Sequence, residues 1–238
     1  MTTNMTAPPL YLCAPVNAIV EGLYEQKIAF DDLLKHGDFG LGTFDQLDGE
    51  MVLLDGDIFQ IDSGGVVRRI GRDALTPFAS VTFFKAVTED RIEESLDWAG
   101  FQQRLEALMP SPNIFYAFRI EGTFELVRAR SVPRTENYRP LVDAAGAQST
   151  FEFRNVRGTL AGFYTPAFMS SLSVPGIHLH FLSEDRTRGG HLLECRPAGV
   201  KVGVQFLSRL ELSLPMTLDY LTLQFQRDVE ADLHKAER

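Results

Sequence analysis

An α+β fold dominated by antiparallel sheet is the class this sequence predicts, and three observations carry the prediction. Short apolar segments recur along the chain, separated by the Gly-containing dipeptides that tight hairpins require. Helical spacing of apolar residues is confined to a few brief stretches. No fixed-period repeat is present, although Gly-Thr opens a strand candidate at Gly42, Gly122 and Gly158.

The elements follow in order. Val16, Ile19, Val20 and Leu23 recur at helical spacing, so residues 15–24 read as a short amphipathic helix with proline near its start. Residues 30–35 read as a second helix, ended at His36-Gly37. Residues 42–47, 50–54, 57–61 and 66–70 form a meander, with Asp48-Gly49, Asp55-Gly56 and Ser63-Gly64-Gly65 at its turns. The Gly40-x-Gly42 pair lacks the third glycine of a dinucleotide site and reads as turn chemistry. Residues 78–84 are a strand, and the acidic run 89–97 reads as a solvated linker. Phe101, Leu105 and Leu108 mark a helix stopped near Pro110. Residues 113–120 and 123–130 read as a strand pair joined at Glu121-Gly122.

The polar segment 133–148, with Pro140 and Gly146, reads as a loop or lid. It divides an N-terminal β-rich half, residues 1–135, from a C-terminal metal-binding β half, residues 136–238, within one compact unit. Strand candidates then resume at 150–155, 159–164, 199–206 and 210–214, and residues 215–238 read as two short helices.

Composition sets bounds on function. At 238 residues, the chain can bury a substantial core without staples. Hydrophobic residues at 45% and charged residues at 23% describe an ordinary globular protein. A net charge of −9 argues against a nucleic-acid partner and against attraction to anionic membranes. No stretch has the length and apolarity of a membrane span, and residues 1–9 lack the features of a secretory signal. Two unpaired cysteines, Cys13 and Cys195, fit a reducing compartment, so a cytoplasmic location is expected.

The chemistry is expected in residues 176–191. The chain has five histidines, and His178, His180 and His191 all fall there. Ile177, Leu179, Phe181 and Leu182 mark a strand, on which His178 and His180 share a face. A polar turn ending in Gly189-Gly190 then leads to a partner strand that brings His191 alongside. Lone histidines are more often surface or satisfied core residues. Their scarcity elsewhere in the chain and the apolar setting favour a site. Three imidazoles and an open fourth position describe a working zinc centre, whereas structural sites fill all four positions.

Two charged residues join the candidates. Glu50 follows a turn and heads a strand otherwise apolar to Leu54, and a carboxylate there needs a partner or a task. Arg130 ends an apolar strand, and its planar fork suits a carboxylate substrate.

These blocks together resemble the bacterial alpha-acetolactate decarboxylases over nearly the whole chain. The matching segments are 37–50 (Gly-Asp-Phe-Gly-Leu-Gly-Thr-Phe-Asp-Gln-Leu-Asp-Gly-Glu), 80–84 (Ser-Val-Thr-Phe-Phe) and 113–122 (Asn-Ile-Phe-Tyr-Ala-Phe-Arg-Ile-Glu-Gly). They continue with 130–133 (Arg-Ser-Val-Pro), 155–163 (Asn-Val-Arg-Gly-Thr-Leu-Ala-Gly-Phe) and the histidine stretch. Ile177 is a departure, standing where an aromatic residue precedes the first histidine in relatives.

The resemblance implies two packed, mostly antiparallel β-sheet halves with a few short helices, in a homodimer. It implies Zn2+ on His178, His180 and His191, and catalytic roles for Glu50, Arg130 and the C-terminal Glu237. It implies decarboxylation of (S)-2-acetolactate, a 2-hydroxy-3-oxo acid, to (R)-acetoin and carbon dioxide. The metal would chelate the hydroxyl and ketone oxygens and stabilise the enediolate. Three alternatives remain at this point. A zinc-dependent hydrolase could use the same three histidines, a cupin-like oxygenase or isomerase would recruit Glu184 as a ligand, and a non-enzymatic reading makes the histidines a structural clip or small-ligand site.

Overall fold

Hairpin punctuation and apolar alternation build two large β-sheets packed face to face, beside a small two-stranded one. The computed structural model describes residues 7–25 and 28–236. In chain order the strands begin with β1 (Leu10–Leu12), β2 (Ile28–Ala29), β3 (Phe39–Thr43), β4 (Glu50–Leu54), β5 (Asp57–Ile61), β6 (Val67–Arg69) and β7 (Leu75–Thr76). They continue with β8 (Ala79–Thr82), β9 (Thr88–Ser95), β10 (Phe115–Ser131), β11 (Ser149–Thr165), β12 (Gly176–Ser183), β13 (Gly189–Leu207) and β14 (Leu210–Leu212). The helices are α1 (Val16–Val20), α2 (Phe30–Leu33), α3 (Trp98–Ala107), α4 (Leu141–Ala145), α5 (Leu218–Thr222) and α6 (Val229–Ala236).

The first sheet has the order β14-β1-β8-β3-β4-β5-β6 and is antiparallel except where β14 runs parallel to β1. The second has the order β10-β11-β12-β13-β9. Strand β10 also pairs with β13, so β10, β11, β12 and β13 close on themselves. The α+β class is therefore borne out, with antiparallel pairing dominant.

Side-chain alternation explains the layering. On β10, Phe115 and Ala117 face the first sheet, where they meet Phe39, Leu41, Val52 and Ile61. Tyr116, Phe118 and Ile120 point the other way, into a core shared with Phe181 and with Phe101 and Leu105 of α3. Burial on both faces makes this strand a nearly continuous apolar run. Helix α2 covers the outer face of the first sheet through Phe30 and Leu33. Helices α1, α4 and α6 pack together through Val16, Ile19, Leu141, Ala144, Leu233 and Ala236. Among the described residues no helix is long and apolar enough to cross a membrane.

Three local expectations are corrected. Residues 121–122 make no hairpin: β10 runs unbroken through them, with register shifts against β13 that bend the strand. The acidic run 89–97 is largely strand β9, an edge strand whose Ile92 is buried, whose half-buried Asp90 pairs with Arg104, and whose other charges face water. Gly40 and Gly42 lie inside β3, where a Cβ would stand 2.2 Å from the Ser80 carbonyl and 2.4 Å from that of Phe78, so close packing rather than a turn requires them. Segment 133–148 carries α4 and joins β10 to β11, neighbours in one sheet.

Both cysteines are fully packed. Burial pushes the Cys13 thiol up to about 12 and raises that of Cys195 as well. A disulfide reagent at about pH 8 should label neither thiol until denaturant unfolds the chain, because the thiolate is the reacting form. Labelling of the native protein would contradict the packing.

Candidate metal centre

Strand register assembles the centre. His180 on β12 lies directly across from His191 on β13, and His191 lies across from Arg130 on β10. Residues in one cross-strand row project to one face, so these three side chains emerge together. His178, two residues before His180, joins them, with its Nε2 3.1 Å from His191 Nδ1. The ligating atoms of the three histidines lie within 4.8 Å of one another.

The first sheet supplies the opposite wall. Glu50 heads β4 and is buried at 5% exposure, as is Arg130 at 4%. Arg130 Nη1 donates to Glu50 Oε1 at 2.8 Å, and Glu50 Oε2 lies 3.5 Å from His180 Nε2. His180 Nδ1 donates to the Met51 carbonyl at 2.8 Å. A carbonyl can only accept, so this bond places the imidazole proton on Nδ1 and leaves the Nε2 lone pair bare. That Nε2 is buried and has no hydrogen-bond partner among the described residues.

A buried, unpartnered imidazole lone pair aimed at two further imidazoles fits a metal ion. The ionisation state agrees. Burial, with Arg130 adding to it, lowers His178 to about 3. Burial and the neighbouring His178 hold His180 well below its ordinary value. Neutral imidazoles are the ligating form, so at neutral pH no proton competes with a cation at these two.

The turn before Glu50 is held under strain. Gln46 and Leu47 both adopt positive φ, at 59° and 55°, which costs on the order of 1–2 kcal/mol per residue for a side chain with a Cβ. Backbone bonds fix the conformation: Gln46 N–H donates to the Tyr24 carbonyl at 3.0 Å, and Thr135 N–H donates to the Gln46 carbonyl at 2.7 Å. Gly49 has φ 85°, and a Cβ there would sit 2.3 Å from the Ile61 carbonyl. Strain concentrated beside a buried carboxylate is a common mark of a working site.

A cavity of about 50 Å3 joins these groups. Its polar lining is the three histidines, Glu50, Arg130 and Thr43, and α1, α4 and α6 close it with Val16, Ile19, Leu141, Ala145 and Ala236. A wider cleft of about 600 Å3 reaches His178 and His191 from the side of α3.

The structure thus brings together five of the expected residues: His178, His180, His191, Glu50 and Arg130. Glu237 lies outside the described residues, and the residue before it, Ala236, lines the cavity. The nearby Asp232 is taken up by Arg227, and Glu230 is exposed. Glu184 is exposed beside Arg157 at 3.3 Å and takes no part in the cluster, which removes the cupin-like arrangement. Thr43 was missed by sequence reasoning. It is the cross-strand partner of Glu50, and its hydroxyl donates to the Gly49 carbonyl at 2.7 Å. Its place in the Gly-Thr opening of a strand was visible, but the side chain's facing was not.

The family model described as alpha-acetolactate decarboxylase matches residues 10–227. The chain belongs to the alpha-acetolactate decarboxylase family. It is 40% identical over 237 residues to the alpha-acetolactate decarboxylase of Methanosarcina mazei, covering 99% of this chain and 82% of the relative. The Brevibacillus brevis protein of that name is 37% identical, covering 96% and 80%. The crystal structure of alpha-acetolactate decarboxylase from Bacillus subtilis strain 168 superposes with a TM-score of 0.93 at 34% identity, covering 96% of this chain and 99% of that one. The chain is accordingly an enzyme of the carboxy-lyase class. The hydrolase alternative finds no support among these relatives, each of which is named a decarboxylase.

Removing one imidazole should disable the cluster. His191→Ala is expected to weaken zinc binding by more than about 100-fold, read by equilibrium dialysis against the unaltered chain. Glu50→Gln should keep stoichiometric metal. Tight zinc binding by His191→Ala would contradict the site.

Proposed function

We propose that the chain decarboxylates (S)-2-acetolactate to (R)-acetoin and carbon dioxide, with a zinc ion held by His178, His180 and His191. The observation that carries this reading is the bare His180 Nε2, buried among the other two imidazoles and 3.5 Å from the Glu50 carboxylate. The set of three imidazoles without a thiolate suits zinc in a centre that keeps a position open. Bound there, zinc supplies Lewis-acid stabilisation of the charge that develops on the substrate's adjacent hydroxyl and ketone oxygens.

The chain's own groups do the rest. The bond from the substrate's carbinol carbon to its carboxylate breaks, and its electron pair enters the enediolate. Arg130 orients the departing carboxylate before the break, its guanidinium already set in place by Glu50. A proton must then reach one face of the former carbinol carbon to give a single acetoin enantiomer. Glu50 moves that proton, together with Glu237 in the role the family resemblance gives it. The apolar lining from α1, α4 and α6 excludes water, which strengthens each electrostatic contact inside. The active species is read as a homodimer in the cytoplasm with no nucleic-acid or membrane partner.

Acetoin and carbon dioxide release from racemic 2-acetolactate, measured before and after a chelator and again with zinc restored, tests the reaction and the metal together. Activity should vanish and return. Glu50→Gln should lower kcat by about 10²–10⁴-fold, the range for a proton-transferring side chain, with zinc content unchanged. Full turnover in Glu50→Gln would remove Glu50 from the mechanism, and turnover that survives chelation would remove the metal.

A further inference from the structure

The three helices over the cavity are tied together by one short turn. Helix α1 ends at Val20, and residues 21–24 that follow bind the chain leading into both other roof helices. Toward α4, Tyr138 N–H donates to the Gly22 carbonyl at 2.7 Å. Tyr24 Oη donates to the Arg139 carbonyl at 2.7 Å, and Tyr24 N–H donates to Asn137 Oδ1 at 2.7 Å. Gly22 permits this approach: its φ is 94°, and a Cβ there would lie 2.7 Å from the Arg139 carbonyl.

Toward α6 the link is a side chain. Glu21 Oε1 accepts from two successive backbone N–H groups, Gln226 at 2.7 Å and Arg227 at 2.9 Å. These donors lie just before the helix, where no helical carbonyl can take them. Arg227 in turn pairs with Asp232 on α6, and Asp228 Oδ1 accepts from Ala231 N–H at 3.0 Å. The roll of α6 is thereby fixed, with Leu233 and Ala236 inward and Ala236 in the cavity wall. The same turn reaches the catalytic carboxylate, since the Tyr24 carbonyl holds Gln46 in the strained approach to Glu50.

We propose that Glu21 and Tyr24 are positioning residues for the cavity, setting α6 and α4 over the metal centre and the residue 46–49 turn beside it. The proposal rests on the reading of that cavity as the decarboxylation site. Neither side chain lines the cavity, so each acts through the backbone it holds. Small displacements matter here because reacting groups a fraction of an ångström out of place lose rate steeply.

The test compares Glu21→Ala, Glu21→Gln and Tyr24→Phe in the zinc-loaded full chain. Metal content, kcat, KM and amide hydrogen exchange over residues 137–145 and 226–236 are read for each. Glu21→Ala should lower kcat/KM by roughly tenfold and speed exchange in 226–236, with zinc content unchanged. Glu21→Gln keeps a carbonyl oxygen for both N–H groups and should stay within about twofold of the starting chain. Tyr24→Phe should speed exchange in 137–145. Glu21→Ala with unaltered exchange and kcat/KM would overturn the proposal, as would equal losses in Glu21→Ala and Glu21→Gln. Failure of the functional reading looks different: the unaltered chain would then bind zinc and release no carbon dioxide, while the exchange measurements would still decide the clasp.

Discussion

The hydrogen bond from His180 to the Met51 carbonyl crosses from one sheet to the other, and the centre is assembled around it. Met51 belongs to β4 and His180 to β12, so the bond exists only when the sheets pack in this register. It settles which nitrogen of His180 carries the proton and aims the other at its neighbours. It also fixes how far Glu50, one residue before Met51, stands from the histidines. An apolar interface between sheets would tolerate some sliding. A buried polar contact would not, because separating it strands a donor and an acceptor without water.

The other polar groups at this interface follow the same logic. Arg130 and Glu50 are both buried, and each supplies the other's countercharge. Such a pair adds little net stability compared with apolar residues of the same shape, but leaving either partner alone is costly. Its retention in a chain with 45% hydrophobic residues therefore points to use rather than to stability. The strained pair Gln46 and Leu47 shows the same trade: a conformation unfavourable for both side chains is held by bonds to Tyr24 and Thr135, and its product is the placement of Glu50.

Much of this was legible in the sequence, for identifiable reasons. The histidines could be placed because a strand's period is two and a turn's glycines are conspicuous, which put His178 and His180 on one face and His191 opposite. The meander from Phe39 to Arg69 was legible for the same reason, apart from the first strand, which ends at Thr43 and gives way to a turn at Gln46 and Leu47. Misreadings came where local chemistry has two uses. Gly122 signals a hairpin in sequence yet sits in a bent continuous strand, and a run of acids can be a linker or an edge strand. Apart from the family resemblance, Glu50 and Arg130 drew notice only as charges beside apolar runs. Their pairing is separated by 80 residues of chain and arises from sheet packing, which no local pattern encodes. The roles of Met51 and Glu21 were beyond reach because both depend on backbone groups, and backbone groups carry no sequence signal.

Packing of the two sheets presets His180 for a metal before any metal arrives. Nitrogen-15 NMR of the histidine rings in the metal-free protein reads this directly, since the two ring nitrogens give distinct shifts in each tautomer and in the imidazolium. The expected result is a neutral His180 ring at about pH 6, protonated on Nδ1 and bare on Nε2, because burial disfavours its charge. A ring carrying its proton on Nε2, or a charged ring at that pH, would contradict it.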